Sequence, residues 1–340
     1  MEAAWFAPSM NSIRVSSILI YCILAMLVTA GSLGAQDVIV IKIDGGKVTK
    51  RTGAIVDWQG SKITLENGGR SRTIDSSAVQ QIKTQWPPEL ATARKLVKQK
   101  DFAAAIESFE KAKSSESRSW VKSIIAAESI QAFDSIENHA RSVREFLRIY
   151  VADPQTRFFR RIPLAWSVGE RNVPARADLQ KWLTNDNPAL RLIASSWLLG
   201  RGNDSDAIAA LEQLTAQKDK RIAQLALAQL WRPRLVSATQ TDVDRWQRQI
   251  EKIEPDLLAG PLVVLAQAQH RVGKKELAQI NLMKVRILHN DKKTLAAYAL
   301  YQCGNMMSES QQPDRAAAMW RELVNDFPSS QFAALAGNKM

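Results

Sequence analysis

The chain of 340 residues has little of what chemistry usually requires: two cysteines, three histidines and four tyrosines. Cys22 lies in an apolar N-terminal run with no small-residue lipobox before it, so it does not read as a lipidation site. Cys303 alone remains beyond that run. No internal disulfide can then form, and the fold must hold by packing, with Cys303 a small buried hydrophobe. His139, His270 and His289 are scattered, with no HExxH pair, so no metal site is expected. The loops that cradle phosphates and the elbow that presents a serine nucleophile are also missing. "DGGK" and "VGKKE" are turns without the necessary spacing. Asp204 and Asp206 stand at an expected helix start, where capping accounts for them. With no carboxylate cluster and no nucleophile–base pair, the chain reads as a non-enzyme that takes no cofactor.

Apolar residues are abundant, at 46% of the chain, and the net charge is +12. A core can therefore be buried, and anionic neighbours are favoured. Residues 13–33, "IRVSSILIYCILAMLVTAGSL", form an apolar run with Arg14 at its head and small residues at its end. That order matches a secretory signal, cleaved near Gly34 or Ala35; the alternative is an uncleaved anchor, since about 20 apolar residues just span a bilayer. Either reading exports the remainder. Membrane contact is then expected only through residues 13–33, if they are retained.

Residues 36–86 read as a small strand-rich module. β-Branched residues alternate from Val38, and further short strands are expected at 54–58, 62–66, 72–74 and 79–82. The turns are marked by Asp44-Gly45-Gly46, Gln59-Gly60-Ser61 and Asn67-Gly68-Gly69. Five short strands in so few residues suit a closed barrel, which removes exposed edges. The order weakly resembles Sm-like and SH3-like barrels. Some Sm-like barrels bind RNA, but Asp37, Asp44, Asp57, Glu66 and Asp75 offset much of the local basic charge, and an exported chain rarely meets RNA. Nucleic acid is not the expected partner.

From residue 87 onward, Ala, Leu, Gln, Arg and Glu recur at three- and four-residue spacing, the mark of amphipathic helices. One pattern repeats. Ala316 has Trp320 four on, Leu323 seven on, Pro328 twelve on and Gly304 twelve before. Ala278 has Leu282, Val285 and Ala266 in the matching places; Ala105 has Phe109, Ala112 and Ala93; Ala207 has Leu211, Leu214 and Ser195. Ala140 with Leu147 is a weaker instance, since Arg144 takes the large apolar slot.

This pattern resembles the tetratricopeptide repeat, a helix–turn–helix unit of about 34 residues. The resemblance implies that small residues let paired helices cross closely and that the large residue fills the hollow between units. Proline ends the second helix. It covers residues 89–117 and 259–337. The last unit, "WRELVNDFPSSQFAALA", resembles bacterial exported repeat proteins of the outer-membrane-assembly and Tol-Pal-associated type. Between these stretches, "NPALRLIASSWLLG" and "DKRIAQLALAQLWRPRL" look equally like HEAT-type helices. The expected fold is mostly α: a repeat solenoid over 87–340, preceded by the barrel-like module and an N-terminal signal or anchor over 1–35.

Two functions follow. A solenoid of this kind would scaffold the cell envelope by holding a protein segment in its groove, near Arg94, Lys98, Gln267 and Arg271. Alternatively, the basic stretch between Arg141 and Arg176 would hold an anionic carbohydrate or phosphate polymer through Arg157, Arg160, Arg161, Arg171 and Arg176. The plain account of that stretch is a solvated helix face with local ion pairs. The tryptophans at helical spacing read as core plugs rather than a sugar-stacking surface. Oligomeric state is not legible.

Overall fold

The computed structural model describes residues 36–43, 46–166, 173–202 and 204–340. The expected signal or anchor lies outside them. Among the described residues no helix is long and apolar enough to cross a membrane. The chain forms two compact units, one strand-built and ending at Trp86, the other helical from Pro87 to Met340.

The first unit is a five-stranded antiparallel sheet in the order β4-β3-β2-β1-β5. Its strands are β1 (Asp37–Lys42), β2 (Val48–Gln59), β3 (Lys62–Asn67), β4 (Arg70–Asp75) and β5 (Val79–Lys83). Ile39, Ile41, Ile55, Ile63, Leu65 and Ile74 supply the buried face, at period two along each strand. The tight turn between β3 and β4 uses Gly68 and Gly69, both left-handed at φ 59° and 74°, as a two-residue hairpin requires. Strand β2 starts six residues earlier than expected. Its first half is polar and exposed, which hides it from a hydrophobic pattern. Gly53 interrupts that half because a Cβ there would lie 2.5 Å from the Glu66 carbonyl oxygen on β3.

The second unit contains fourteen helices among the described residues. They are α1 (Pro88–Lys98), α2 (Phe102–Ser115), α3 (Ser119–Ser135), α4 (His139–Ala152), α5 (Arg176–Leu183), α6 (Pro188–Leu199) and α7 (Ser205–Leu214). Then follow α8 (Lys220–Gln229), α9 (Gln240–Ile250), α10 (Ala259–Arg271), α11 (Lys275–Leu288), α12 (Lys293–Glu309), α13 (Pro313–Asp326) and α14 (Gln331–Gly337). Sequential helices pack against each other except at α4–α5 and α8–α9, and α6, α8, α10, α12 and α14 also meet as alternate neighbours. That makes one row of a two-row array, with one continuous core from Ala126 to Ala336.

Four interhelix turns share one geometry. Lys100, Glu137, Gly273 and Gln311 are left-handed, at φ 63°, 56°, 83° and 57°. In each turn the next amide donates back five residues: Asp101 to the Leu96 carbonyl, Asn138 to Phe133, Lys274 to Gln269 and Gln312 to Met307, at 2.8–3.0 Å. This is a Schellman-type end, which satisfies carbonyls the helix leaves open. Five residues beyond each left-handed residue stands a small, fully buried one: Ala105, Ser142, Ala278 and Ala316. The turn therefore fixes the register. The expected Ala140 marker is corrected to Ser142, because Ala140 is exposed while Ser142, Phe146 and Ile149 are buried. Two features hid this unit: its turn residue is Glu137 rather than glycine, and its small residue carries a hydroxyl. The Ser142 hydroxyl is accommodated by donating to Asp134 Oδ1 at 2.5 Å.

Inside a pair, small and large residues compensate. A Cβ on Gly304 would lie 2.2 Å from Trp320 Nε1, so the indole sits where any side chain would be. Alanine normally gains about 1 kcal/mol over glycine within a helix. Here overpacking, at about 1–3 kcal/mol, opposes that gain. Gly304→Ala should lower stability by about 1 kcal/mol in urea unfolding, and Trp320→Phe in the same chain should recover part of the loss. A stabilised Gly304→Ala chain would contradict the contact.

Candidate functional site, an open cleft between helix turns

The described part of the link from α4 towards α5, residues 154–166, is not a helix face. Residues 154–166 run as turns around one short 3₁₀ stretch, Phe159–Arg161, and are laid across the array. Phe159 is buried against Phe146 and Tyr150, with the Arg221 guanidinium 4.1 Å above its ring. The Pro163 carbonyl accepts from Trp197 Nε1 at 3.0 Å, and the Ala165 amide donates to Ser196 Oγ at 3.1 Å. The Ala165 carbonyl accepts from Gln229 Nε2 and Arg232 Nη1. Trp166 lies where a Cβ on Gly260 would be. The segment thus meets α6, α8 and α10 in turn. Buried Arg232 also donates to Ser196 O at 2.8 Å and to Gln229 Oε1 at 2.7 Å.

The far end of the segment reaches the entrance of α12. Arg161 pairs with Asp291 at 3.2 Å and its side chain is only 15% exposed. Lys292 Nζ donates to the Arg160 carbonyl at 2.6 Å. Burial, reinforced by Arg161 beside it, pulls the Lys292 ammonium down to about 8. Of the other arginines named from sequence, Arg157 and Arg160 are exposed, with Arg157 4.7 Å from the Phe158 ring. Arg176 lies on α5 and meets Asp204 at 3.2 Å. Arg171 lies outside the described residues. Arg157, Arg160 and Arg161 share the crossing segment; Arg176 does not.

One part of the array stays open. The turns α1–α2, α3–α4 and α13–α14 converge with the start of α12 on a cavity of about 740 Å³, within the range of ligand and peptide sites. Its apolar wall is Val97, Phe102, Ile136, Phe327 and Pro328; Lys98, Lys100 and Lys293 face Asp134, Glu137 and Asp326 around the polar parts. Burial, then Arg286, lowers the Lys293 ammonium from its ordinary value. A recess of about 80 Å³ lined by Ile162, Trp197 and Lys292 shares Gln131, Asp134, Ser135 and His139 with the cavity. The His139 ring lies 4.5 Å from that of Trp197.

The four groove residues named from sequence separate. Lys98 lines the cavity. Arg94 is a strut from α1 to α3, donating to both Glu128 oxygens at 2.9 and 2.8 Å. Gln267 bonds the Tyr298 hydroxyl and lines another recess, of about 340 Å³, with Arg201 and Arg232. Arg271 is exposed at the end of α10. Sequence reasoning missed Phe102, Ile136, Phe327 and Lys293. The turns containing Phe102 and Phe327 were legible, that of Ile136 was not, and their convergence on one place depends on the stacking of distant helix pairs. Among the described residues no cluster of potential metal ligands occurs. Cys303 is buried, and burial pushes its thiol up to about 12, which leaves it unreactive.

Residues 298–330 match the tetratricopeptide repeat family model. The match runs from within α12, through the Gln311 turn and α13, to the Ser330 cap of α14. Comparison with characterised proteins gave no match, and comparison with solved structures gave none. The matched repeat and the helix pairs around it support a protein-interaction scaffold, a role repeats of this type generally serve without catalysis.

The Lys292 site yields a pH test. An unfolded lysine titrates near 10.4, so below about 8 both states hold the proton and folding carries the full cost of the buried charge. Between about 8 and 10.4 the unfolded chain binds more protons, and stability rises with pH. Lys292→Met should gain about 1–2 kcal/mol at pH 7, allowing for the bond it loses, with the gain gone by about pH 10.5. Urea titrations of both chains at pH 7 and above 10 measure it. Parallel pH profiles would contradict it.

Proposed function

We propose that the protein is an exported scaffold that holds a segment of another protein in the cavity between the α1–α2, α3–α4 and α13–α14 turns. The observation that carries this reading is the cavity itself. Among the described residues it is a place where Ile136, Pro328 and the partly exposed Val97 and Phe102 share one space with unlike charges from three helix pairs. Phe102, Ile136 and Pro328 offer apolar anchoring, and the lysines and acids fix polarity. A cavity of this size takes a few residues of an extended chain or one turn of helix. The secretory pattern of residues 13–33 is the support for placing this role in the cell envelope, and the last unit's resemblance to envelope-assembly repeat proteins points the same way.

The exposed Arg157 and Arg160 favour the second reading, an anionic envelope polymer held beside the crossing segment. Salt separates the two, because contacts to a polyanion weaken steeply with ionic strength and apolar contacts do not. A photo-crosslinking residue at Ile136 in the full chain should capture a discrete protein from envelope extract at low and moderate salt. The same group at exposed Val236 should not. Phe102→Asp should reduce capture at least tenfold, in line with about 1.4 kcal/mol or more from an anchor. Retention only of a salt-labile polymer, lost on Arg157→Glu with Arg160→Glu, would replace the first reading with the second.

A further inference from the structure

Helix α11 has a second apolar face. Its inner face, Ala278, Leu282 and Val285, is fully buried. On the other side Leu277, Ile280, Ile287 and Leu288 are 46%, 51%, 67% and 69% exposed. Leu277, Ile280, Lys284 and Ile287 follow the alternating three- and four-residue spacing of a helix–helix seam. Met283 and Met307 extend the row into a shallow depression of about 520 Å³. Single exposed leucines are ordinary, whereas a contiguous row on one helix marks a contact surface.

We propose that this face joins two copies of the chain, α11 against α11, antiparallel about a two-fold axis at Ile280. Charge selects this arrangement. Glu276 and Lys284 stand four residues before and after Ile280, both exposed and without a salt bridge among the described residues. Antiparallel pairing about Ile280 sets Lys284 of one copy opposite Glu276 of the other, twice, with Leu277 opposite Met283. Parallel pairing would set each Lys284 against its own copy, which like charges oppose. Leu277, Ile280, Ile287 and Leu288 are each about half exposed or more, and an isologous contact uses the row twice. The inference is independent of the cavity, whose lining residues lie elsewhere.

Sedimentation equilibrium of the full chain, with circular dichroism to confirm unchanged helix content, tests the pairing. The parent should be a dimer with a micromolar dissociation constant. Ile280→Glu should weaken it at least tenfold. Glu276→Lys and Lys284→Glu should each weaken it severalfold, and the two together should restore parental affinity. A parent monomeric throughout the micromolar range overturns the proposal, as does a dimer unmoved by Ile280→Glu. A double reversal no better than either single one also overturns it. If the parent is monomeric and Ile280→Glu lowers its melting temperature, the face is covered by the chain's own residues and the second copy is excluded.

Discussion

The helical unit depends on the crossing of paired helices, where a small residue on one helix admits a large residue from the other. A helix pair buries too little by itself to be stable, so its core exists only where pairs stack. At Gly304 the crossing is so close that the Trp320 indole occupies the space of a missing side chain. Ala93 and Ala266 stand in the place of Gly304, sixteen residues before the large Phe109 and Leu282, and all four are buried. The left-handed turns hold that crossing in register: each puts its buried small residue five positions on. Glycine suits such a turn best, yet Lys100, Glu137 and Gln311 adopt it too. Any backbone strain there is offset by the carbonyls the turn satisfies.

Spacing between units has the same origin. Ala105 to Ser142 is 37 residues and Ala278 to Ala316 is 38, against about 34 in the family repeat. The excess of three or four residues is one helical turn, carried by the longer first helices α3 and α12 at 17 residues each. An added full turn leaves the buried face where it was. That is how these units lengthen without losing their packing.

Much of this was legible in sequence because it is local. Ala105, Ala207, Ala278 and Ala316, with their partners four and seven on, are all buried as the periodicity implies. So is the strand alternation around Ile39 and Ile63. What escaped depends on distant parts of the chain. Ser142 escaped because its hydroxyl is matched by Asp134, a pairing that spacing does not reveal. The path of residues 154–166 escaped because its partners, Trp197, Gln229, Arg232 and Asp291, come from four later elements. Its arginines read as a charged surface, yet the same segment includes buried Phe159, Ile162, Ala165 and Trp166. Of the site, Lys98 and the turns at Phe102 and Phe327 were legible, and their convergence was not.

Among the described residues the array is filled beside α6, α8 and α10 by its own segment and left open at the turns where α1–α2, α3–α4 and α13–α14 meet. Hydrogen exchange across the full chain, resolved to short peptides, tests it most directly. Amides of residues 159–166 should be protected to the level of the helices they cross, while those of 136–137 and 329–330 exchange much faster. Rapid exchange throughout 159–166 would mean that the segment does not occupy the row, and the open cleft would no longer be the distinctive surface of the molecule.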